Sequence, residues 1–213
     1  MRSVPPSPSR ARRSRLGFLV GLLVWTTAVA FGFQVLVNYE LTPGSNHPRL
    51  ARLPEGNRLA LDHSQPNLVM LVHPQCPCSR ASVGELEKIM TECRGHISAT
   101  VLFFAPATES IDWTHSDLWR RASAIPGVSV QADPNGRTAA QMGVTTSGHV
   151  LLFDTTQTLL FSGGITGARG HEGANAGRSA VVALALGRTT KIRSTPVFGC
   201  AIDPTENGLA SDR

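Results

Sequence analysis

Two cysteines one residue apart, Cys76-Pro77-Cys78, stand where thiol chemistry is most easily run. The stretch before them, Leu68-Val69-Met70-Leu71-Val72, is continuously apolar, as in a strand buried on both faces. After them Val83, Leu86, Ile89, Met90 and Cys93 recur at helical spacing, and Glu85, Glu87, Lys88 and Glu92 take the other, solvated side. Ser79 reads as the N-cap of that helix and Gly95 as its stop. Free amides and the dipole at a helix start stabilise negative charge. A thiolate is such a charge, and it is the form of cysteine that attacks a disulfide. Cys76 is therefore expected to have a lowered pKa and to be a good leaving group in exchange.

Cys200 closes the stretch Thr195-Pro196-Val197-Phe198-Gly199-Cys200. A cysteine after glycine in a terminal loop can swing back toward such a site, so two exchange schemes are open. Cys76 and Cys78 form a small, strained and hence oxidising disulfide. Alternatively, Cys200 resolves a mixed disulfide or caps one of the pair. Cys93 lies on the apolar helix face and reads as a small hydrophobe.

The same sulfurs admit a metal reading, in which His73, Cys76, Cys78 and Cys200 hold Zn or Cu(I). His73 reads equally as a cap on the strand end, and His149 is expected to face outward. The glycine-rich stretch 163–177 permits positive φ and close backbone approach. It reads as a plain surface loop or as a flap bringing Arg169 or His171 near Cys76. It lacks the Lys-Ser/Thr of a phosphate loop. Trp113 and Trp119 read as packing residues.

The elements that must position these groups follow from periodicity. Residues 99–104 form a second apolar strand. Leu118, Ala122 and Ile125 share a helical face that ends at Pro126-Gly127. A third strand spans 128–130, and Asp133-Pro134 opens a short helix reaching Met142. Strands at 150–153 and 159–161 form a hairpin around 154–158, and a last helix covers 179–186. Strand–helix–strand at the start implies parallel pairing, and the late hairpin implies an antiparallel edge. The expected fold class is α/β, a three-layer sandwich with a mixed sheet. Residues 67–203 form this domain, and 204–213 a flexible tail.

The N-terminus decides where the domain resides. Arg2, Arg10, Arg12, Arg13 and Arg15 occupy a basic tail, residues 1–15, with no acidic partner. The net charge of +5 lies wholly there, so the rest has no basic stripe and a nucleic-acid partner is not expected. Residues 16–37 carry no charge, and as a helix they span about 33 Å, enough for a hydrocarbon core. With the arginines retained on the inside, the chain is a single-pass inner-membrane protein with a cytoplasmic N-terminus and a periplasmic domain. Ala28-Val29-Ala30 offers a rival cleavage site, and Arg12-Arg13 a weak twin-arginine signal. Residues 38–66, with Pro43, Gly44, Pro48, Pro54, Gly56 and Pro66, read as a linker holding the domain off the bilayer, and Leu59 and Leu61 as a short edge strand. Four cysteines in 213 residues exclude a disulfide-dense mini-scaffold, and the 41% hydrophobic content excludes a wholly disordered chain.

An apolar strand running into cysteines at the start of a long helix, in this element order, resembles the thioredoxin superfamily over about residues 67–190. The resemblance implies that Cys76 is the N-terminal nucleophile and that Ser79 takes the second cysteine position, leaving Cys78 off-pattern. Gly148, in Thr145-Thr146-Ser147-Gly148-His149-Val150, stands where the superfamily has a cis-proline, and Gln75 replaces its aromatic residue. His73-Pro74-Gln75-Cys76-Pro77-Cys78-Ser79, Ser162-Gly163-Gly164-Ile165-Thr166, Arg169-Gly170-His171-Glu172-Gly173 and the Cys200 segment together look like the RedB-type thioredoxin-like proteins. The expected function is a membrane-anchored thiol–disulfide oxidoreductase. Its site is Cys76, Cys78, Ser79 and Cys200, its partners are protein thiols or disulfides, and it needs no cofactor beyond the redox disulfide. The alternative is a copper- or zinc-binding metallochaperone. A peroxidase would need P-x-x-x-T/S-x-x-C, which is absent.

Overall fold

The computed structural model describes residues 8–45, 50–54, 59, 61–62 and 64–202, with side chains from residue 14 onward. The ends of the expected basic tail and of the flexible tail, residues 1–7 and 204–213, lie outside these. The chain divides into two units, Met1–Leu41 and Thr42–Arg213.

The first unit is one helix, α1 (Pro8–Leu41), about 51 Å long at 1.5 Å per residue. Its part from Ser14 to Leu41 is long and apolar enough to cross a membrane, with an 18-residue stretch of mean hydropathy 2.0. Leu19, Trp25, Phe31 and Phe33 are all exposed, which water would penalise and lipid would not. The helix runs past the expected end at residue 37, because Asn38, Tyr39 and Glu40 carry no helix-breaking residue.

In the second unit, a six-stranded sheet runs in the order β3-β2-β1-β4-β5-β6. Its strands are β1 (Asn67–Val72), β2 (Ser98–Ala105), β3 (Val128–Pro134), β4 (His149–Phe153), β5 (Leu159–Gly164) and β6 (Ser194–Thr195). The first three are mutually parallel, β4 runs antiparallel to β1, and β5 antiparallel to β4. Strand β6, not foreseen from two residues without a pattern, pairs parallel with β5. The strands alternate between two apolar cores. Leu68, Met70 and Val72 face one with Val101, Phe103, Val150 and Leu152. Val69 and Leu71 face the other with Leu102, Phe104, Leu151 and Phe153. Burial on both faces explains why β1 reads as an unbroken apolar run.

Helices α2 (Ser79–Glu92), α4 (Asp117–Ser123) and α6 (Ala176–Ala185) cover the first core through Leu86, Leu118, Ala122 and Val181. The other core is closed by Ala139 of α5 (Arg137–Gln141) and by Trp113 of α3 (Ile111–Thr114), with Leu53, Met142 and Ile202. This is the expected three-layer mixed sandwich.

Several local expectations need correction. Cys78, not Ser79, holds the N-cap position of α2, and no side chain caps that end. Ser79 is instead the first helical residue and is fully buried. The helix expected from Asp133 starts at Arg137. The Asp133 carboxylate is buried and accepts from the amides of Thr138 and Ala139 at 2.8 and 2.9 Å, closing that helix start from the strand end. Leu59 and Leu61 form no strand. The bridge to the hairpin is made by Arg52, opposite Thr158. The described parts of the expected linker are docked rather than free. Gly44 N donates to Val197 O at 2.9 Å, Leu53 N donates to Gln157 O at 3.0 Å, and Leu50, Leu59 and Leu61 pack on the second core. Leucines placed among prolines have apolar surface to bury, and an adjacent sheet supplies the partner.

Candidate active site

Strand β1 delivers the chain into a turn in which Cys76 N donates to His73 O at 3.0 Å. The first turn of α2 follows at once, with Ser79 N donating to Cys76 O at 3.2 Å. The sequence thus places Cys76 just ahead of a helix start, as its position between apolar run and amphipathic stretch requires. Its Sγ lies 2.9 Å from Cys200 Sγ. The sulfurs of Cys76, Cys78 and Cys200 all lie within 4.8 Å of one another. All are free thiols.

Cys200 is delivered by a short antiparallel pairing. Ser147 N donates to Cys200 O and Ile202 N donates to Thr145 O, both at 2.8 Å, and Thr146 bridges Ala201. Gly199 permits the approach, since a Cβ there would collide with the Ser147 carbonyl oxygen. The Arg169 guanidinium, from the glycine-rich loop, donates to Gly199 O and, at 3.2 Å, to Thr42 O. The terminal loop therefore returns to the site, and the glycine-rich loop sets Arg169 against the backbone before Cys200 and beside Cys78, rather than on Cys76. His171 Nδ1 pairs with Arg169 O at 2.9 Å instead of reaching the sulfurs.

Electrostatics separate the three thiols. The Cys200 thiol is the main cause holding Cys76 far below the ordinary value of 9.0, at about 4. The Ser79 hydroxyl and the backbone amides of Cys200 and Ser79 act in the same direction, against burial. Cys200 is pushed up, first because its proton bonds Cys76 and then by burial. Cys78 is also raised, mainly by burial and then by the charge on Cys76, while Arg169 opposes both. One thiolate beside two thiols is the state that disulfide exchange requires. The helix-start amide contributes through Ser79, but the neighbouring thiol does more than the helix start that the sequence pointed to.

The serine pair gives Ser79 a role different from capping. His73 N donates to Ser147 Oγ at 2.7 Å, and Ser147 Oγ lies 2.7 Å from Ser79 Oγ. With Ser147 donating to Ser79, the Ser79 hydroxyl proton is left for the Cys76 sulfur. Ser147, fully buried, is the site residue that the sequence reading passed over. The signal available was its place beside Gly148. That glycine has φ +85°, a left-handed conformation closed to proline, and donates its amide to Leu71 O at 2.7 Å. No cis peptide occurs among the described residues.

His73 does not join the sulfur cluster. Its Nδ1 accepts from Gln75 N at 3.1 Å, and its ring packs on Phe104 and Trp113. His149, expected to face outward, is 1% exposed, pairs with Ser162 Oγ at 2.8 Å, and is held neutral by burial, with its pKa lowered to about 4. Glu85, assigned to the solvated helix face, is fully buried. It is paired with Lys88 at 2.7 Å and Arg178 at 3.3 Å, and it accepts from Gly173 N at 2.8 Å. The long glycine-rich loop lies over α2 at Glu85 and buries that one residue, while Glu87 and Glu92 stay exposed, which the spacing of charges could not show. Beside Cys76 a cavity of about 160 Å³ opens between Gln75, Pro77, Arg80, Ser116 and Leu118. Cys76, itself 3% exposed, lines this cavity.

No family model and no curated protein matches the chain. Solved structures do. A hypothetical protein from Sinorhizobium meliloti is 21% identical with a TM-score of 0.53, over 66% of this chain and 80% of that one. An uncharacterized conserved protein from Geobacillus kaustophilus is 17% identical with a TM-score of 0.54, over 77% of this chain and 94% of that one. A secreted disulfide oxidoreductase of Mycobacterium tuberculosis is 10% identical with a TM-score of 0.40, over 58% and 81%. The likeness is one of fold, and with the strand order given above that fold is thioredoxin-like.

Proposed function

We propose that this chain is a membrane-anchored thiol–disulfide oxidoreductase of an exported compartment, with Cys76 as nucleophile and Cys200 as its disulfide partner. The observation that carries the reading is the 2.9 Å separation of those two sulfurs at a helix start. A disulfide bond is about 2.05 Å, so closure needs a movement of about 0.9 Å. Cys78 is a third sulfur within reach and accepts the bond from either partner.

In the oxidised protein a substrate thiolate attacks Cys76 Sγ, and Cys200 leaves and takes a proton. The substrate's second thiolate then attacks its own sulfur in the mixed disulfide, and Cys76 leaves as thiolate. Two electrons pass from the substrate dithiol to the Cys76–Cys200 pair. A stabilised Cys76 thiolate favours the reduced form, which makes the disulfide an oxidant. Ser79, held by Ser147, supports the leaving sulfur, and Arg169 holds the backbone that carries Cys200. The helix Ser14–Leu41 supports a signal anchor, and the excess of arginines before it supports an exported domain. The test is covalent trapping. Full-length Cys200→Ser protein should accumulate Cys76-linked mixed disulfides in cells, well above Cys78→Ser protein, which keeps the resolving sulfur, and Cys76→Ser should accumulate none. Absence of Cys76-linked species in Cys200→Ser and in the double variant lacking Cys78 and Cys200 contradicts the reading.

A second reading rests on the same trio. Three sulfurs within 4.8 Å suit a soft cation, and with no fourth donor in the cluster among the described residues they fit three-coordinate Cu(I) better than Zn. Native mass spectrometry of reduced protein titrated with Cu(I) or Zn discriminates. A stoichiometric complex lost in Cys76→Ser favours a metal-binding role.

A further inference from the structure

Three loops carry the groups around Cys76, and one short segment touches all three. The glycine-rich loop brings Arg169, the loop before β4 brings Ser147, and the terminal loop brings Cys200. Thr42–Ser45 lies across them. The Thr42 carbonyl accepts from Arg169 at 3.2 Å, and the Gly44 amide donates to Val197 O at 2.9 Å. The Ser45 carbonyl accepts from the hydroxyls of both Thr145 and Thr146, the latter at 2.9 Å. Gly44 permits the approach, since a Cβ there would overlap the Thr146 side chain. These four residues follow directly on the end of α1 at Leu41, where a free linker was expected. A plain spacer would leave its carbonyls and amides to water.

We propose that Thr42–Ser45 is a positioning strap, which braces the ladder under Cys200 and so keeps Cys200, ahead of Cys78, as the disulfide partner of Cys76. This rests on the oxidoreductase reading and adds to it the element that decides between two resolving sulfurs. Both lie within 4.8 Å of Cys76 Sγ, so a small displacement changes which one bonds. Misplacing a reacting group by about 1 Å can cost roughly 100-fold in rate. Cys78 rides on the start of α2 and needs no brace. Cys200 rides on a loop, and every hold on that loop leads to the strap. Val197 is bonded to Gly44 directly. Gly199 is held by Arg169, which also bonds Thr42. The ladder partners Thr145 and Thr146 are fastened to Ser45 by their side chains. When a partner disulfide oxidises the site, the Cys76 thiolate attacks it and one partner sulfur leaves as thiolate. A resolving thiol then gives its proton to that thiolate, attacks Cys76 Sγ and expels the second partner sulfur. The strap presents Cys200 for that second attack.

The test uses the full-length protein in detergent, with glutathione disulfide as oxidant. Thr145→Val combined with Thr146→Val removes both donors to Ser45 O and leaves the backbone ladder intact. Gly44→Ala drives the strap off Thr146 from the other side. Each change should raise the ratio of Cys76–Cys78 to Cys76–Cys200 cross-links, read by mass spectrometry after brief oxidation, at least about fivefold. Each should also raise the ionisation midpoint of Cys76, read by iodoacetamide labelling of the reduced protein, by about half to one pH unit, because the Cys200 thiol is the main group holding it down. Thr145→Ser combined with Thr146→Ser keeps both hydroxyls and should match the wild type. A merely structural segment would lower the melting temperature and move neither reading. A wild-type value of either reading, in the valine pair or in Gly44→Ala, overturns the strap. If Gly44→Ala fails to fold, the valine pair against the serine pair decides alone. A wild-type protein that closes Cys76–Cys78 instead overturns the strap and leaves an oxidoreductase standing. One that forms no Cys76 cross-link at all overturns both.

Discussion

Cys76 Sγ and Cys200 Sγ stand 2.9 Å apart although 124 residues separate them in the chain. That contact makes Cys76 an anion near neutral pH and leaves Cys200 its proton. The first consequence concerns ionisation. Alkylation of Cys76 in the reduced protein should follow an ionisation near pH 4. Cys200→Ala removes the strongest donor and should move the midpoint upward by about one to two pH units, a change read directly from the pH dependence of iodoacetamide labelling. An unchanged midpoint would assign the anion to the helix start alone.

The same ionisation tilts stability with pH. The folded pKa of Cys76 is lowered, so its contribution grows as pH rises from about 4 toward 9 and is lost below 4. His149, lowered to about 4, costs stability as pH falls below 6.5, because only the unfolded chain takes up the proton. Above pH 9, Cys200 stays protonated in the fold but ionises in the unfolded chain, which lowers stability again. Urea melts of the reduced protein should therefore show maximum stability near pH 8 to 9. Cys76→Ser should flatten the rise above pH 6.5 and keep the acid loss due to His149.

Gly148 tests the loop beneath the sulfurs. A Cβ there would lie 2.7 Å from Ser82 Oγ, and φ +85° is unfavourable for any side chain. Gly148→Ala should cost about 1–3 kcal/mol. Gly148→Pro should cost more, because proline forces φ to a negative value and deletes the amide bonded to Leu71 O. Restoring the residue expected from the superfamily should thus lower the melting temperature more than alanine does. A proline variant as stable as wild type would show that the loop has a second accessible conformation.

Glu85 holds the glycine-rich loop to α2 through Gly173 N, Lys88 and Arg178, and that loop carries Arg169 to Gly199. Glu85→Ala leaves two cations and an amide without their partner, and should cost about 2–4 kcal/mol, a fall in melting temperature of roughly 5–10 °C. Arg169→Met should leave stability nearly unchanged but slow closure of the Cys76–Cys200 bond about three- to tenfold, because the backbone before Cys200 loses its charged donor. Stopped-flow oxidation of the reduced protein separates the two effects.

Strands β1, β2 and β4 were legible because burial on both faces writes an uninterrupted apolar run, and α2 because its apolar face repeats at helical spacing. The place of Cys76 just ahead of α2 was legible because it sits between the two. What stayed hidden depends on distant pairing. Cys200 was a candidate by type, yet only the ladder to Thr145–Ser147 sets it against Cys76 ahead of Cys78. Ser147 has no periodicity to betray it, and its role comes from contacts with His73 and Ser79. Glu85 obeys the charge pattern of an exposed face and is buried by a loop nearly ninety residues later, at Gly173. His149 looks like a strand-edge polar residue until Ser162 of the neighbouring strand supplies its bond.

The most direct measurement is the disulfide map of the purified full-length protein, oxidised, alkylated, digested and read by mass spectrometry. The account predicts one dominant cross-link joining the peptide of Cys76 to the peptide of Cys200, with Cys78 and Cys93 recovered as alkylated thiols. A dominant internal Cys76–Cys78 bond with Cys200 free, or Cys76 recovered unlinked after oxidation, would contradict it.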